Sequence, residues 1–201
     1  MFEVLGGWEV EGKFGVGVEF GELGGGWRGE EVRCFVGDLV IDDDLVSDFV
    51  DHPVHHVVVD GDLTVRGDLD WAADGFGVFF LVTGDLRVRN VLLHGGVGVA
   101  VRGALDVRGV VVGAHEGEGA GFLRVHGDAG FGLAVATGDF RLDFRGETAG
   151  PVAVAGGATV LGVAEVREAG ELLDPGLLDR AGRPLAHELA DCLRSGRPLF
   201  L

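Results

Sequence analysis

The chain has 201 residues, of which 47% are hydrophobic and 38 are glycine, and a formal net charge of −17. It is too apolar for a disordered linker, and its glycines lack collagen's strict period. No stretch approaches 18 uninterrupted apolar residues, so no membrane span is expected, and the acidity argues against binding phosphate backbones or anionic lipid.

The opening residues Met1-Phe2-Glu3-Val4 have no basic stretch followed by an apolar core, so no secretory signal is expected. Cys34 and Cys192 are far apart in sequence and are expected to stay reduced in a cytoplasm. The charge is uneven. Residues 1–60 carry 14 acidic against 3 basic residues, whereas residues 61–150 carry 12 against 8. An acidic surface of this kind favours encounter with a basic partner, and it also keeps a protein soluble.

Residues 1–53 read as an acidic lead-in. Phe2, Val4, Trp8, Val10, Phe14, Val16, Val18 and Phe20 alternate with Glu and Gly, which predicts an antiparallel hairpin or meander. Gly24-Gly25-Gly26 breaks the pattern, and Val32–Val36 resumes a strand. The run from Asp42 to Val50 suits one or two helical turns with an acidic start.

Residues 54–165 carry the main signal, a phrase of Gly, Asp and a large apolar residue followed by alternation. It recurs at Gly61-Asp62-Leu63, Gly84-Asp85-Leu86 and Gly138-Asp139-Phe140. Gly103-Ala104-Leu105 is a variant, and Gly37-Asp38-Leu39 precedes the run. Coils beginning near 57, 78, 97 and 122 give a period of about 19 to 25 residues. Short strands with a corner after each predict a single-stranded β-solenoid, a parallel β-helix in which each coil buries its apolar side on the next. The fold class is therefore all-β with minor α. Gly at the corners permits positive φ, and Asp or Asn can bond the turn backbone. Arg66, Arg87, Arg89, Arg102, Arg108, Arg124, Arg141 and Arg145 alternate with apolar residues and should point outward. Residues 113–121 read as a loop bulging from the third coil.

Residues 166–201 read as a C-terminal cap. Pro184 to Leu193 predicts a helix whose stripe of Leu185, Leu189, Cys192 and Leu193 covers the exposed core of the last coil.

The coils Val57–Leu69, Val78–Leu93 and Val97–Val112 resemble those of the bactofilins, bacterial polymer-forming cytoskeletal proteins. The resemblance covers roughly residues 54–165. It implies a right-handed β-helix, no catalytic site, no cofactor, and head-to-tail assembly without nucleotide. The acidic lead-in, the bulge at 113–121 and the C-terminal cap depart from that family, and a cap would obstruct stacking. The expected role is a non-enzymatic scaffold or protein-interaction module that associates with itself or with a protein partner.

Two other readings come from the residues. The acidic lead-in, chiefly Asp42, Asp43 and Asp44, suits capture of a basic protein such as a toxin, as immunity proteins do. Sixfold spacing at Val57, Leu63 and Leu69 resembles left-handed β-helix acyltransferases, with His94, His115 or His126 available as a base. His52, His55 and His56 beside Asp51 and Asp60 have metal-ligand chemistry, but in an extended segment His55 and His56 face opposite ways. No metal site is expected there. The corner aspartates Asp62, Asp68, Asp85, Asp128 and Asp139 are read as turn residues.

Overall fold

A computed structural model describes residues 2–47, 56–117 and 121–180, together with 184–185, 188–189, 191–192, 195 and 197. Strand content is 54% and helix content 17%, and the chain is a β-solenoid of about five turns. Strand β1 (Phe2–Gly6) comes first, and the coils begin with β2 (Glu31–Val36), β3 (Leu39–Ile41) and β4 (Leu45–Val46). Next come β5 (His56–Asp60), β6 (Leu63–Val65), β7 (Asp68–Val82), β8 (Leu86–Val88), β9 (Asn90–Val101) and β10 (Leu105–His115). The remaining strands are β11 (Phe122–Val125), β12 (Ala129–Gly138), β13 (Arg141–Phe144), β14 (Thr148–Ala149), β15 (Val152–Ala155), β16 (Thr159–Leu161) and β17 (Arg167–Glu168).

These strands stack in parallel as three walls. The first wall runs β2, β5, the end of β7, the end of β9, β11, β13 and β16. The second runs β3, β6, β8, the start of β10, the start of β12 and β14. The third runs β4, the start of β7, the start of β9, the end of β10, the end of β12, β15 and β17. Period-two alternation sends Leu63, Leu86 and Leu105 inward in one column and Val59, Val82, Val101 and Val125 in another, all essentially buried.

The helix therefore starts earlier than residue 54. Strands β2, β3 and β4 pair residue for residue with the coil that follows, as in Leu39 on Leu63 and Leu45 on Leu69. Residues 42–46 are a corner and a strand, not a helix. Asp44 turns its carboxylate to the next coil, where Oδ1 accepts from the Asp68 amide at 2.8 Å, so it caps no helix. Residues 48–55, including His52 and His55, lie outside the described residues, as do 118–120 of the expected bulge.

The predicted hairpin over residues 8–20 is helical instead, as α1 (Gly7–Phe14) and α2 (Gly17–Phe20). The buried residues are Val10 with Phe14 and Val16 with Phe20, each pair four apart, while Trp8 and Val18 are exposed. Short alternating runs fit both periods, and here the caps decide. Glu9 Oε2 accepts from the Gly6 amide at 2.8 Å, and Gly15 ends α1 at φ 62° in the left-handed region. Only β1 keeps the predicted extended form, and it pairs antiparallel with β2.

The corner residues explain the Gly-Asp phrase. At the first corner Asp62 N donates to Asp38 Oδ1 (3.0 Å), Asp85 N to Asp62 Oδ1 (2.9 Å) and Ala104 N to Asp85 Oδ1 (2.8 Å). Glu147 N donates to Asp128 Oδ1 at 2.9 Å. At the second corner Asp68 N bonds Asp44, Asn90 Nδ2 bonds Asp68 Oδ1 (2.8 Å), and Val110 N bonds Asn90 Oδ1 (3.0 Å). Each Asx side chain thus satisfies the coil above it, which stitches the corners along the axis. Glycine precedes them mainly for close approach. Gly103 has no positive φ, yet a Cβ there would lie 2.6 Å from the Gly84 carbonyl carbon.

Ala104 interrupts the first ladder, since it has no side-chain acceptor to offer the Asp128 amide. Ala104→Asn is expected to stabilise the fold by about 0.5–1 kcal/mol, and Ala104→Asp by less because Asp85 and Asp128 flank it. Urea midpoints of the two variants check this; an unchanged midpoint for Ala104→Asn would mean the ladder carries no net energy.

The two terminal segments lie along walls. Residues 5–30 cover the outer side of the first wall, where Val10, Phe14, Phe20 and Trp27 pack on Cys34, Val58, Phe79, Leu81, Ala100 and Phe122. The C-terminal segment covers the outer side of the third wall, with Ala169, Leu173, Leu177, Leu189 and Cys192 on Leu92, Val110, Val112, Leu133 and Val135. It was expected to close the last coil, but its apolar stripe finds a larger apolar surface on the flank. Glu188–Leu189 and Asp191–Cys192 are helical, so part of the expected helix is present.

Candidate interaction surfaces

With two walls covered from outside, the surfaces left uncovered by the described residues are the second wall and the two ends. Exposed large apolar residues gather at the ends. Phe2, Val4, Trp8, Val36, Val40 and Val46 belong to β1, the first coil or the start of α1, Leu161 to β16, and Val166 to the link just before β17. Val18 on the N-terminal cover is the remaining one among the described residues. Among the described residues mid-solenoid coils contribute none, because their outward positions on the second wall hold polar residues such as Thr64 and Arg87 where the first coil has Val40.

The ends have a physical cause. Interior positions Phe35, Leu39, Ile41 and Leu45 of the first coil have a coil on one side only, so they stay half-buried. Val154, Ala158, Val160 and Val163 are the counterparts at the other end. At the first end β1 adds one strand to the first wall alone. Phe2 lies opposite Phe35 with ring centroids 5.5 Å apart, and Val4 lies opposite Arg33, so both share the core-facing side of the sheet. They overhang the open end, half-exposed. At the far end β16 and β17 extend the first and third walls past β14, which leaves a notch lined by Thr148, Gly150, Pro151, Val163 and Arg167.

The second wall carries the acidic corners. Asp42, Asp43 and Asp44 sit together at its junction with the third wall, and the structure already employs them. Asp42 pairs with Arg66 at 2.9 Å, Asp43 Oδ1 accepts from the Asp44 amide at 2.9 Å, and Asp44 serves the ladder and meets Arg89 at 3.3 Å. Arg87 bridges Asp62 (3.3 Å) and Asp85 (2.7 Å). The Asp85 amide, with Arg87, holds the Asp62 carboxyl below its usual range.

A charged clasp under the N-terminal cover was not foreseen. Arg102, Arg124 and Arg141 do point outward, but α2 and the turn Gly21–Leu23 lie over them. Glu19 takes two bonds from Arg102 (2.9 and 3.0 Å), and Arg124 bonds the Glu19 carbonyl (2.7 Å), Glu22 (3.1 Å) and Asp143 (2.8 Å). Arg141 meets both oxygens of Glu22, at 2.6 and 2.7 Å. The Arg141 bond is the main cause that keeps the Glu22 carboxyl below its ordinary value of 4.5. His126 Nε2 lies 3.7 Å from Glu19, yet burial first and then the Arg145 charge lower its pKa from 6.5. The signal available in the sequence was the recurrence of Arg on one wall opposite Glu19 and Glu22, but the partners are about 80 to 120 residues apart.

Both depressed groups favour their deprotonated forms in the folded state. Stability from His126 is whole above pH 6.5 and declines as pH falls through its lowered value, and Glu22 repeats this from 4.5 downward. A stability profile flat between about pH 6.5 and 8 is expected by urea titration, falling in two stages below that range, with the Asp62 carboxyl adding to the lower stage, and falling again above pH 9, where the buried Cys34 thiol resists ionisation. His126→Gln should remove the upper stage, and retention of that stage would assign it elsewhere.

The remaining described histidines, His56, His94 and His115, are separated. His56 is buried, accepts from the Phe79 amide through Nδ1 at 3.1 Å and stacks on Phe79 at 4.6 Å. His115 is buried at the end of β10, its ring nitrogens lacking partners among the described residues, while His94 lies in β9. No group of three His, Cys, Asp or Glu able to hold a metal occurs among the described residues, and no helix there is long and apolar enough to cross a membrane. Comparison with protein-family models, curated proteins and solved structures gives no match to this chain.

Proposed function

We propose that this chain is a non-enzymatic protein-interaction scaffold, a bactofilin-like solenoid that works by contact through its end faces. The observation that carries this reading is the placement of the terminal segments. Both cover walls, so among the described residues the end coils keep half-buried core and unpaired strand edges. An unpaired edge with adjoining apolar surface is a template for another strand. The described residues of the C-terminal segment lie on the flank and leave the last coil open to contact.

Mass in solution across concentration, by light scattering with negative-stain microscopy of the same sample, tests it. A mass that climbs above 21.0 kDa with concentration is expected. A mass constant at one chain over the accessible range would sink the reading.

The second wall, uncovered by the described residues, favours a second reading, a monomeric binder of a basic protein. The wall and its corners carry Asp38, Asp42, Asp43, Asp62, Asp85, Asp106 and Asp128 against Arg66, Arg87, Arg89 and Arg108. Electrostatic steering would speed such capture and make it salt-dependent. A constant monomer that binds a basic protein less tightly as salt rises would support this instead.

A further inference from the structure

We infer that the N-terminal end of the solenoid is a twofold self-interface in which β1 of one copy pairs antiparallel with β1 of a second copy. This rests on the proposal that the ends are contact surfaces, and it names the partner and the geometry at one of them. The starting observation is strand direction. Every strand from β2 to β17 runs parallel to its wall neighbour, whereas β1 runs antiparallel to β2. Among the described residues β1 pairs with β2 alone, so its other edge is open. The end coil of a head-to-tail partner would have to continue parallel walls, and it meets a reversed strand on one wall and no extra strand on the other two. Antiparallel pairing about a twofold axis has no such conflict, because each copy offers the same edge to the other.

Charge selects the register. Pairing centred on Glu3 would set Glu3 against Glu3 of the second copy, and like charges directly opposite are destabilising. Pairing centred on Val4 sets Val4 against Val4 and Glu3 against Leu5. It also keeps Phe2 and Val4 of both copies on the core-facing side, over Phe35, Leu39, Ile41 and Leu45. The apolar surface left open on these six residues is on the order of 300–400 Å² per copy. A standard interface of about 800 Å² per partner holds roughly 450 Å² of apolar area, so the end face reaches the low end of what a dimer needs. Asp42, Asp43 and Asp44 sit at the corner opposite the first wall. About three strand spacings, roughly 14 Å, would separate them from their copies, beyond the ~10 Å Debye length at 0.1 M salt. Their repulsion is therefore screened.

The test uses single cysteines on the full chain. Val4 is half-exposed, so Val4→Cys is compatible with the fold, and either kind of antiparallel pair holds Cα atoms within disulfide reach. The native thiols do not compete: Cys34 and Cys192 are buried, and burial pushes the Cys34 thiol up to about 11. Mild oxidation of Val4→Cys is expected to give a covalent dimer that grows no further. Val4→Asp should raise the dimer dissociation constant at least tenfold, with an unchanged circular dichroism spectrum. Cross-linking of Val4→Cys only when mixed with Val160→Cys, which is half-buried on the core-facing side of the last first-wall strand, would mean head-to-tail contact and would overturn the twofold interface while leaving end contact intact. Oligomers indifferent to both Val4 variants would overturn it too. A chain that stays monomeric throughout would remove both this interface and the proposal beneath it.

Discussion

Arg124→Ala is expected to destabilise the protein by about 3–5 kcal/mol, the cost of breaking a buried ion network from one side. Arg124 is 5% exposed and serves three groups at once, the Glu19 carbonyl, Glu22 and Asp143. Removing it takes away the closest cation of Asp143, itself 9% exposed, and leaves Arg145 at 3.6 Å and the Arg141 charge. It also takes away one of two arginines on Glu22. In a chain of this length that loss corresponds to a fall in Tm of roughly 6–20 °C. Arg124→Lys keeps charge but not the three-way fork, so it should fall between the two. The damage should appear first in the cover. Trp27, 2% exposed beneath it, should show a red-shifted emission, and residues 1–30 should become sensitive to protease before the coils do. A loss under 1 kcal/mol would show that the cover is held by its apolar contacts and that the clasp only sets its register.

Gly103→Ala is expected to cost a further large amount, about 2–4 kcal/mol, for a single methyl group. The added carbon would lie 2.6 Å from the Gly84 carbonyl carbon and 2.7 Å from its oxygen, and also against the Asp85 carboxylate. All of these are held by the coil below. The Gly103 amide donates to the Gly84 carbonyl at 3.0 Å, and the Ala104 amide to Asp85 at 2.8 Å. Relief therefore means opening the corner and losing ladder bonds as well as shifting a side chain. Gly12→Ala is the matched control. Gly12 lies inside α1 with nothing within 4 Å of its added carbon, so the same change should stabilise by about 0.5–1 kcal/mol. Thermal melts of the two variants should move in opposite directions. Equal small shifts would mean that the corners are loose enough to absorb a Cβ, against the tight stacking described above.

The solenoid was legible because its signal is local and repeated. Each corner announces itself in two or three residues, such as Gly84-Asp85-Leu86, and alternation alone sorts inward Leu86 and Val88 from outward Arg87. The first coil showed the same phrase at Gly37-Asp38-Leu39, but the acidic run behind it also suited a helix start. Asp44 can cap a helix or serve a neighbouring coil, and its neighbour in space is Asp68, 24 residues away. The residues from Val10 to Phe20 were ambiguous in a similar way. Spacings of two and of four coincide over so short a run, and the caps at Glu9 and Gly15 settle the matter only once the segment has a wall to lie on.

Composition and pattern were enough for the class of fold, the identity of the inward columns and the role of the corner aspartates. These depend on residues one coil apart, and the repeat itself reveals that spacing. Contacts without a period had to await the folded chain. They include the reversal of β1, the clasp joining Glu19 and Glu22 to arginines about 80 to 120 residues away, and the choice of the C-terminal segment to cover a flank instead of an end. An apolar stripe states that something must cover it, and which surface does so depends on the area each offers. The third wall offered Leu92, Val110, Val112, Leu133, Val135, Ala153 and Ala155 in one apolar cluster with the segment.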